Sequence, residues 1–300
     1  MRQKKSKKAQ FFNILLLITT AFILTIVYTA GDLKKEQFKD PIGTHAIEIA
    51  KMTQESEKVL LYVDYSAKLS AWQAAFSLAD SGGISSIYNR GEYLKYNLWK
   101  EDKNLNTFGP SDYKEEFLRK TKENLKQFLG YYGKQKEIEI SNINTIYLSL
   151  SDKNNLIDYS LLLFNNSLAG SADSQMFVAG LRGGTLAGYD LLQGQTRRYI
   201  VNPSFNVDIS YDINEYNKLT DISQELLDKC SGTDDVYSCI NTNKPSNWKI
   251  GACDEEFNPE ENQKIFRFCV TSDYKLPYYD SKKINFLIKP VQYKFALDFS

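Results

Sequence analysis

One histidine, four cysteines and three Ser-x-x-Lys spacings are the features of this 300-residue chain whose residue types could support chemistry. A single histidine, His45, excludes His-Glu-x-x-His metalloprotease sites and multi-histidine zinc clusters within the chain. A Ser-His-Asp triad would need a nucleophile elbow, and no Gly-x-Ser-x-Gly occurs. His45 follows Pro41 and Gly43 at an expected helix start, which points to a capping or surface role. Ser-x-x-Lys occurs at Ser111 to Lys114, Ser246 to Lys249 and Ser272 to Lys275. A chain rich in both residues supplies such hits by chance, and the Ser-Asp-Asn and Lys-Thr-Gly companions are absent. Carboxylates are abundant, but no spacing marks two of them as an acid and a base. The expectation is a chain that is no enzyme, with no catalytic residue, no cofactor and no metal.

The cysteines, Cys230, Cys239, Cys253 and Cys269, all fall in the last quarter of the sequence. Four cysteines allow three connectivities, and Cys230 to Cys239 with Cys253 to Cys269 closes the shortest loops. The competing reading is a zinc site, which lacks both a Cys-x-x-Cys pair and a nearby histidine. Two disulfides require an oxidising compartment. Asn165-Asn166-Ser167 is a single glycosylation acceptor sequence, which suits the same side of a membrane.

The first thirty residues supply that membrane. Arg2, Lys4, Lys5, Lys7 and Lys8 put five positive charges into the first eight residues, leaving 32 basic against 37 acidic side chains beyond them. Phe11 to Ala30 then runs for twenty residues without a charge, enough at helical rise to cross about 30 Å of hydrocarbon. The basic cluster stays in the cytoplasm and places the C-terminal body outside. A removable secretory signal, cut before Asp32, is the rival reading, but its apolar region is usually about 7 to 15 residues. The body is mildly acidic with scattered lysines, which argues against nucleic acid as a partner.

Helical and strand periods then alternate along the chain. From His45 to Asp80 there is no Pro or Gly, and Ile49, Met52, Val59, Val63, Leu69, Trp72, Phe76 and Ala79 recur at helical spacing. Ser81, Gly82 and Gly83 end this helix. A second helix starts at Ser111 or Asp112 and stops at Gly130, with Tyr113, Phe117, Leu118, Leu125, Phe128 and Leu129 as its apolar stripe and Lys and Glu opposite. Beyond Gly133 the period becomes two: Ile138 and Ile140, Ile146 to Leu150, Leu156 to Phe164, Ser204 to Tyr211, Lys264 to Ser272 and Val291 to Ser300 read as strands. SDKNN is read as a hairpin turn, and Asp212 with Glu215 as a capping box for a helix to about Lys229. The cysteine region reads as loop as far as Asn262.

Two stretches stand apart. Six of the sixteen glycines lie between Gly170 and Gly194, but GLRGGTLAG has neither the P-loop ending nor a dinucleotide fingerprint. A long loop between strands is the expectation there, with a contact surface around Met176, Phe177 and Val178 as the alternative. Surplus aromatics in YNRGEYLKYNLW and DYKLPYYD suggest an exposed face for protein or sugar contacts.

The junction KKAQFFNILLL, basic residues and a small residue before Gln and an apolar helix, resembles the class III signal of archaeal type IV pilin-like proteins. On that resemblance the cut falls between Ala9 and Gln10, and the apolar segment stays as the subunit's N-terminal helix. The body is similar to membrane-anchored archaeal ectodomains of no known activity. The expected organisation is a leader at 1–9, a transmembrane helix at 10–30, a linker at 31–43 and an extracytoplasmic α+β domain at 44–300. That domain is expected to be helical over 44–133 and mainly an antiparallel, disulfide-stapled sheet region over 134–300. The expected partners are the lipid bilayer and, through self-association or otherwise, surface proteins. The expected role is that of a structural or surface protein, with a pilin-like subunit as one form of it; the alternative is an anchored ectodomain that binds an envelope component or a partner protein.

Overall fold

A computed structural model of the chain describes residues 42–85, 91–102, 107–134, 145–149, 151–152, 155–156, 158–174, 176–181, 197–260, 263–280 and 285–300. Contacts divide the chain into residues 1–54 and 55–300. The described part of the first unit is the start of helix α1 (Ile42–Asp80). Gly43, expected to break the chain ahead of this helix, lies inside its first turn, where the leading amides lack intrahelical partners anyway. The expected leader at 1–9, the anchor at 10–30 and residues 31–41 of the expected linker at 31–43 lie outside the described residues. Among the described residues, no helix is long and apolar enough to cross a membrane.

In the second unit α1 is a core helix. Ala67, Ala71, Ala74, Ala75 and Ala79 are buried together with Val59, Val63 and Leu78. Alanine at these points favours the helix and lets neighbours approach its backbone closely. Two buried serines share a bond, Ser70 Oγ donating to the Ser66 carbonyl at 2.5 Å. Trp72 Nε1 donates to the Ile209 carbonyl at 2.7 Å, which ties the helix to the sheet region. The helix stops where expected, with Gly83 N reaching back to the Leu78 carbonyl at 2.8 Å. Gly82 and Gly83 both have left-handed φ, +61° and +78°. Their close neighbours also demand glycine: an added Cβ would lie 2.6 Å from the Lys294 carbonyl oxygen and 2.5 Å from the Tyr216 ring respectively.

Strands β1 (Glu92–Tyr93) and β2 (Tyr96–Trp99) follow, joined by Leu94 and Lys95 at positive φ. Helix α2 (Tyr113–Lys134) passes through Gly130, where the sequence suggests a stop. Tyr113, Phe117, Leu125 and Leu129 of that stripe are buried. Next come β3 (Thr145–Ser149), β4 (Tyr159–Phe164), β5 (Ser167–Ala172), β6 (Met176–Leu181), β7 (Arg197–Val201) and β8 (Ser204–Asp208). Helices α3 (Glu215–Cys230) and α4 (Val236–Asn243) and strands β9 (Trp248–Ile250), β10 (Ile265–Asp280) and β11 (Asn285–Asp298) complete the chain.

The strands form a five-stranded sheet, β1-β2-β11-β10-β9, and two three-stranded ones, β7-β6-β3 and β8-β5-β4. The α+β class expected from the periods holds, with two disulfides near the C-terminus. A strand from the expected helical part of the chain also joins the main sheet. β2, from between the first two helices, pairs parallel with the last strand, so the main sheet is mixed. Such a pairing spans most of the chain and leaves no local trace.

Alternation proves dependable elsewhere: Phe205, Val207, Ile209 and Tyr211 are buried while Ser204, Asn206, Asp208 and Ser210 are exposed. SDKNN does turn the chain, but only for a two-residue ladder, Ser151–Asp152 against Asn155–Leu156. Its longer neighbours pair elsewhere, β3 with β6 and β4 with β5. The glycine-rich stretch is likewise no continuous loop: β5 and β6 occupy much of its first half, and residues 182–196 lie outside the described ones. Gly170 sits in β5 opposite Phe205, whose ring covers it; an added Cβ would come within 2.2 Å of that ring.

Candidate functional site

The densest group of buried polar side chains gathers where α3 meets β10 and β11. Its centre, Glu215, reads in sequence as half of a capping box, and it does not cap. Asp212 turns the chain instead, accepting from Asn214 N at 3.0 Å, and the N-cap, Asn214, makes no side-chain capping bond. Glu215 is thereby released to reach across to the sheet. Its Oε2 accepts from the Tyr293 hydroxyl at 2.5 Å, and the Ser272 hydroxyl lies 2.8 Å and 3.0 Å from its two oxygens. Tyr293 donates its one proton to the carboxylate, so Tyr211, 3.0 Å away, donates into Tyr293. Tyr216 lies edge-on to Tyr293, and its buried hydroxyl sits beside Tyr211 without a well-formed hydrogen bond.

Chemically this is a hydrogen-bonded carboxylate in a phenol cluster. Burial pushes the Tyr211, Tyr216 and Tyr293 hydroxyls above their ordinary range, and the Glu215 charge adds to the effect. None of them is therefore an anionic nucleophile or base near neutral pH. Mechanically, one side chain joins α3 to both long strands. Glu215→Leu should cost about 3 kcal/mol, since it leaves the donors of Tyr293 and Ser272 without their acceptor. Glu215→Gln, which keeps an acceptor oxygen, should cost less, and urea unfolding of the two variants measures both. The phenols also set an alkaline limit. The folded-state values lie above the unfolded one, so the stabilisation is complete below about pH 10 and falls as pH rises beyond it. A stability profile from pH 8 to 11 should turn downward in that upper range, and Tyr216→Phe should soften the turn.

A buried acid, Glu116, lies in α2 on a helix face that reads as solvated in sequence. Its carboxylate is buried and receives Arg119 Nε at 2.7 Å and Nη2 at 2.6 Å, with Lys120 at 3.6 Å. Burial pushes its pKa up, but the bonds from Arg119 and Ser85 prevail and hold it below the ordinary carboxylate range. Its contribution is thus present above the unfolded carboxylate value and is lost on acidification through the lower folded one.

All four cysteines are paired, Cys230 with Cys239 and Cys253 with Cys269. The connectivity with the shortest loops is the one formed, and no thiolate is left for zinc. Among the described residues, no group of three or more His, Cys, Asp or Glu is arranged to hold a metal ion. The cysteine region is less loop-like than its sequence suggests. Asp235 caps α4 by accepting from Ser238 N at 2.9 Å, an Asp-x-x-Ser signal that was available. His45 falls in α1, while Ala9 and Gln10 lie outside the described residues. Of the Ser-x-x-Lys serines, Ser272 belongs to the Glu215 cluster. Asn165 is exposed in the two-residue turn between β4 and β5, at φ +47°.

The aromatic stretches expected to form a sticky face turn partly inward. Tyr96 and Trp99 of YNRGEYLKYNLW are buried, and Trp99 stacks on Phe295 at 3.9 Å between centroids. Tyr278 and Tyr279 of DYKLPYYD pack on Phe76 of α1 and Phe128 of α2. The exposed apolar run lies opposite them in β11: Phe286, Leu287 and Ile288. Sequence reasoning missed it because an uncharged run without alternation reads as buried strand. Compared with family models, with curated proteins and with solved structures, the chain matches none.

Proposed function

We propose that the chain is a membrane-anchored extracytoplasmic structural or surface protein, held by residues 10–30 and processed between Ala9 and Gln10 as a pilin-like subunit. The observation that carries this reading is the closure of all four cysteines into two local disulfides, chemistry that persists on the oxidising side of a membrane. The basic cluster at the N-terminus favours the same side for the body. A long helix before the sheets suits a subunit whose N-terminal helices pack together. No catalytic activity is proposed, since the phenols of the Glu215 cluster are held in their neutral form. The exposed run Phe286 to Ile288 supports a second reading, an anchored ectodomain that uses the far end of the β10–β11 hairpin to bind an envelope component.

N-terminal sequencing and intact mass of protein isolated from its own membranes separate these readings. A start at Gln10 supports the pilin-like subunit. A start at Met1 leaves a plain signal anchor and favours the second reading, while a start at Asp32 removes the anchor and sinks both.

A further inference from the structure

We propose that Asn165 carries an N-linked oligosaccharide that folds back over the outer face of the β8-β5-β4 sheet. The inference rests on the extracytoplasmic reading, because activated oligosaccharides meet acceptor chains on that side. Asn165-Asn166-Ser167 is the one such acceptor sequence in the chain. Its asparagine stands at the tip of a tight hairpin, exposed, with its backbone already held: Asn166 accepts from Ile209 N at 2.9 Å. A bulky group at the tip therefore displaces nothing from the core.

The turn alone does not account for what surrounds it. A left-handed φ favours asparagine at 165, but it asks nothing of Ser167 or of the neighbouring sheet face. That face alternates with the buried one formed by Tyr159, Leu168 and Phe205. It carries Leu162 and Phe164 on β4, which are 60% and 61% exposed, against Ser167 and Ala169 on β5 and Asn206 and Asp208 on β8. Two apolar side chains thus rise from a floor of short hydroxyl, amide and carboxylate groups. A sugar chain suits this mixture, its C–H faces stacking on Phe164 and its hydroxyls bonding to the polar floor. Phe164 adjoins the attachment point, and β4 is the sheet's edge, so the first sugars lie over the part of the face that most needs cover.

The modification is a glycosyl transfer from a lipid-phosphate- or lipid-pyrophosphate-linked oligosaccharide. The Asn165 side-chain nitrogen forms a bond to the anomeric carbon of the first sugar. The bond from that carbon to the phosphate oxygen breaks, and its electron pair leaves with the lipid phosphate. The amide loses one proton to the transferase.

The test is peptide mapping by mass spectrometry of protein from its own cells, reading the segment between Lys153 and Arg182 alongside the thiol state of the four cysteines. The expected result is a sugar mass on Asn165, absent in both Ser167→Ala and Asn165→Asp, of which the second keeps a residue tolerant of the left-handed turn. Hydroxyl-radical footprinting should label Phe164 and Leu162 several-fold more in Ser167→Ala than in the modified protein. Unmodified Asn165 overturns the proposal, and equal labelling overturns the covering of the face. Free cysteine thiols in the same sample would instead overturn the extracytoplasmic reading beneath it.

Discussion

Replacing all four cysteines by alanine is expected to lower the stability of the body by about 5 kcal/mol. The loops closed are short, with separations of 9 and 16 residues, and each cross-link removes about 3 kcal/mol of loop entropy from the unfolded chain. They also hold short elements. Cys230 ends α3 and is buried, and its bond to Cys239 fixes the eight-residue α4, too short to persist alone. Cys269 lies in β10 beside the three-residue edge strand β9, and its bond to Cys253 tethers the segment that follows that strand. A domain rarely has more than about 5 to 15 kcal/mol in total, so the variant should sit near its unfolding threshold at 25 °C. Urea titration followed by far-ultraviolet dichroism measures this. Single removal of either bridge should give about half the effect, and an unchanged midpoint for the quadruple variant would show that the bridges hold nothing.

The second large loss is expected at Trp99, where alanine should cost about 4 kcal/mol. Trp99 is almost fully buried, lies face to face with Phe295 at 3.9 Å and edge-on to Phe108 at 6.5 Å between centroids. Phe295 in turn stacks on Phe268, and Trp248 meets both rings edge-on, so the indole is one layer of an aromatic column through the main sheet. Its Nε1 donates to the Gly82 carbonyl at 2.9 Å, which links the end of α1 to that column. Trp99→Phe keeps part of the stack and leaves the carbonyl without this donor, so it should cost roughly 1 to 2 kcal/mol. The two variants together separate packing from hydrogen bonding. If alanine and phenylalanine cost the same, the stack contributes nothing and the account of the core is wrong.

What could be read in the sequence was whatever repeats within a few residues. The period of α1 and its Gly82-Gly83 stop were visible, as were the strict alternations around Phe205 and Tyr293; that the cysteines form two staples was visible, which pairs with which was not. What could not be read was long-range. Nothing near Trp99 announces that β2 lies parallel to β11, nearly 200 residues later. Glu215 looked like a cap because its spacing from Asp212 matches one, yet Tyr293 and Ser272 competed for it successfully from the sheet. Glu116 looked solvated because the helix pattern places it among charges, and only the fold shows Arg119 turning onto it over a buried face. Gly170 looked like a loop glycine because its reason, the Phe205 ring, belongs to another strand. The exposed apolar residues, Phe286 to Ile288 and the Leu162 and Phe164 pair, were hidden for the complementary reason: sequence marks a residue as apolar, not whether anything covers it.

The central claim is that this body lies outside the membrane that residues 10–30 enter. Protease digestion of intact cells, with the released peptides identified by mass spectrometry, tests it directly. Peptides from the body, including the Lys-rich flank of the β10–β11 hairpin, should be released while the cells remain closed and cytoplasmic proteins stay whole. A body that is cleaved only after the cells are lysed would contradict it.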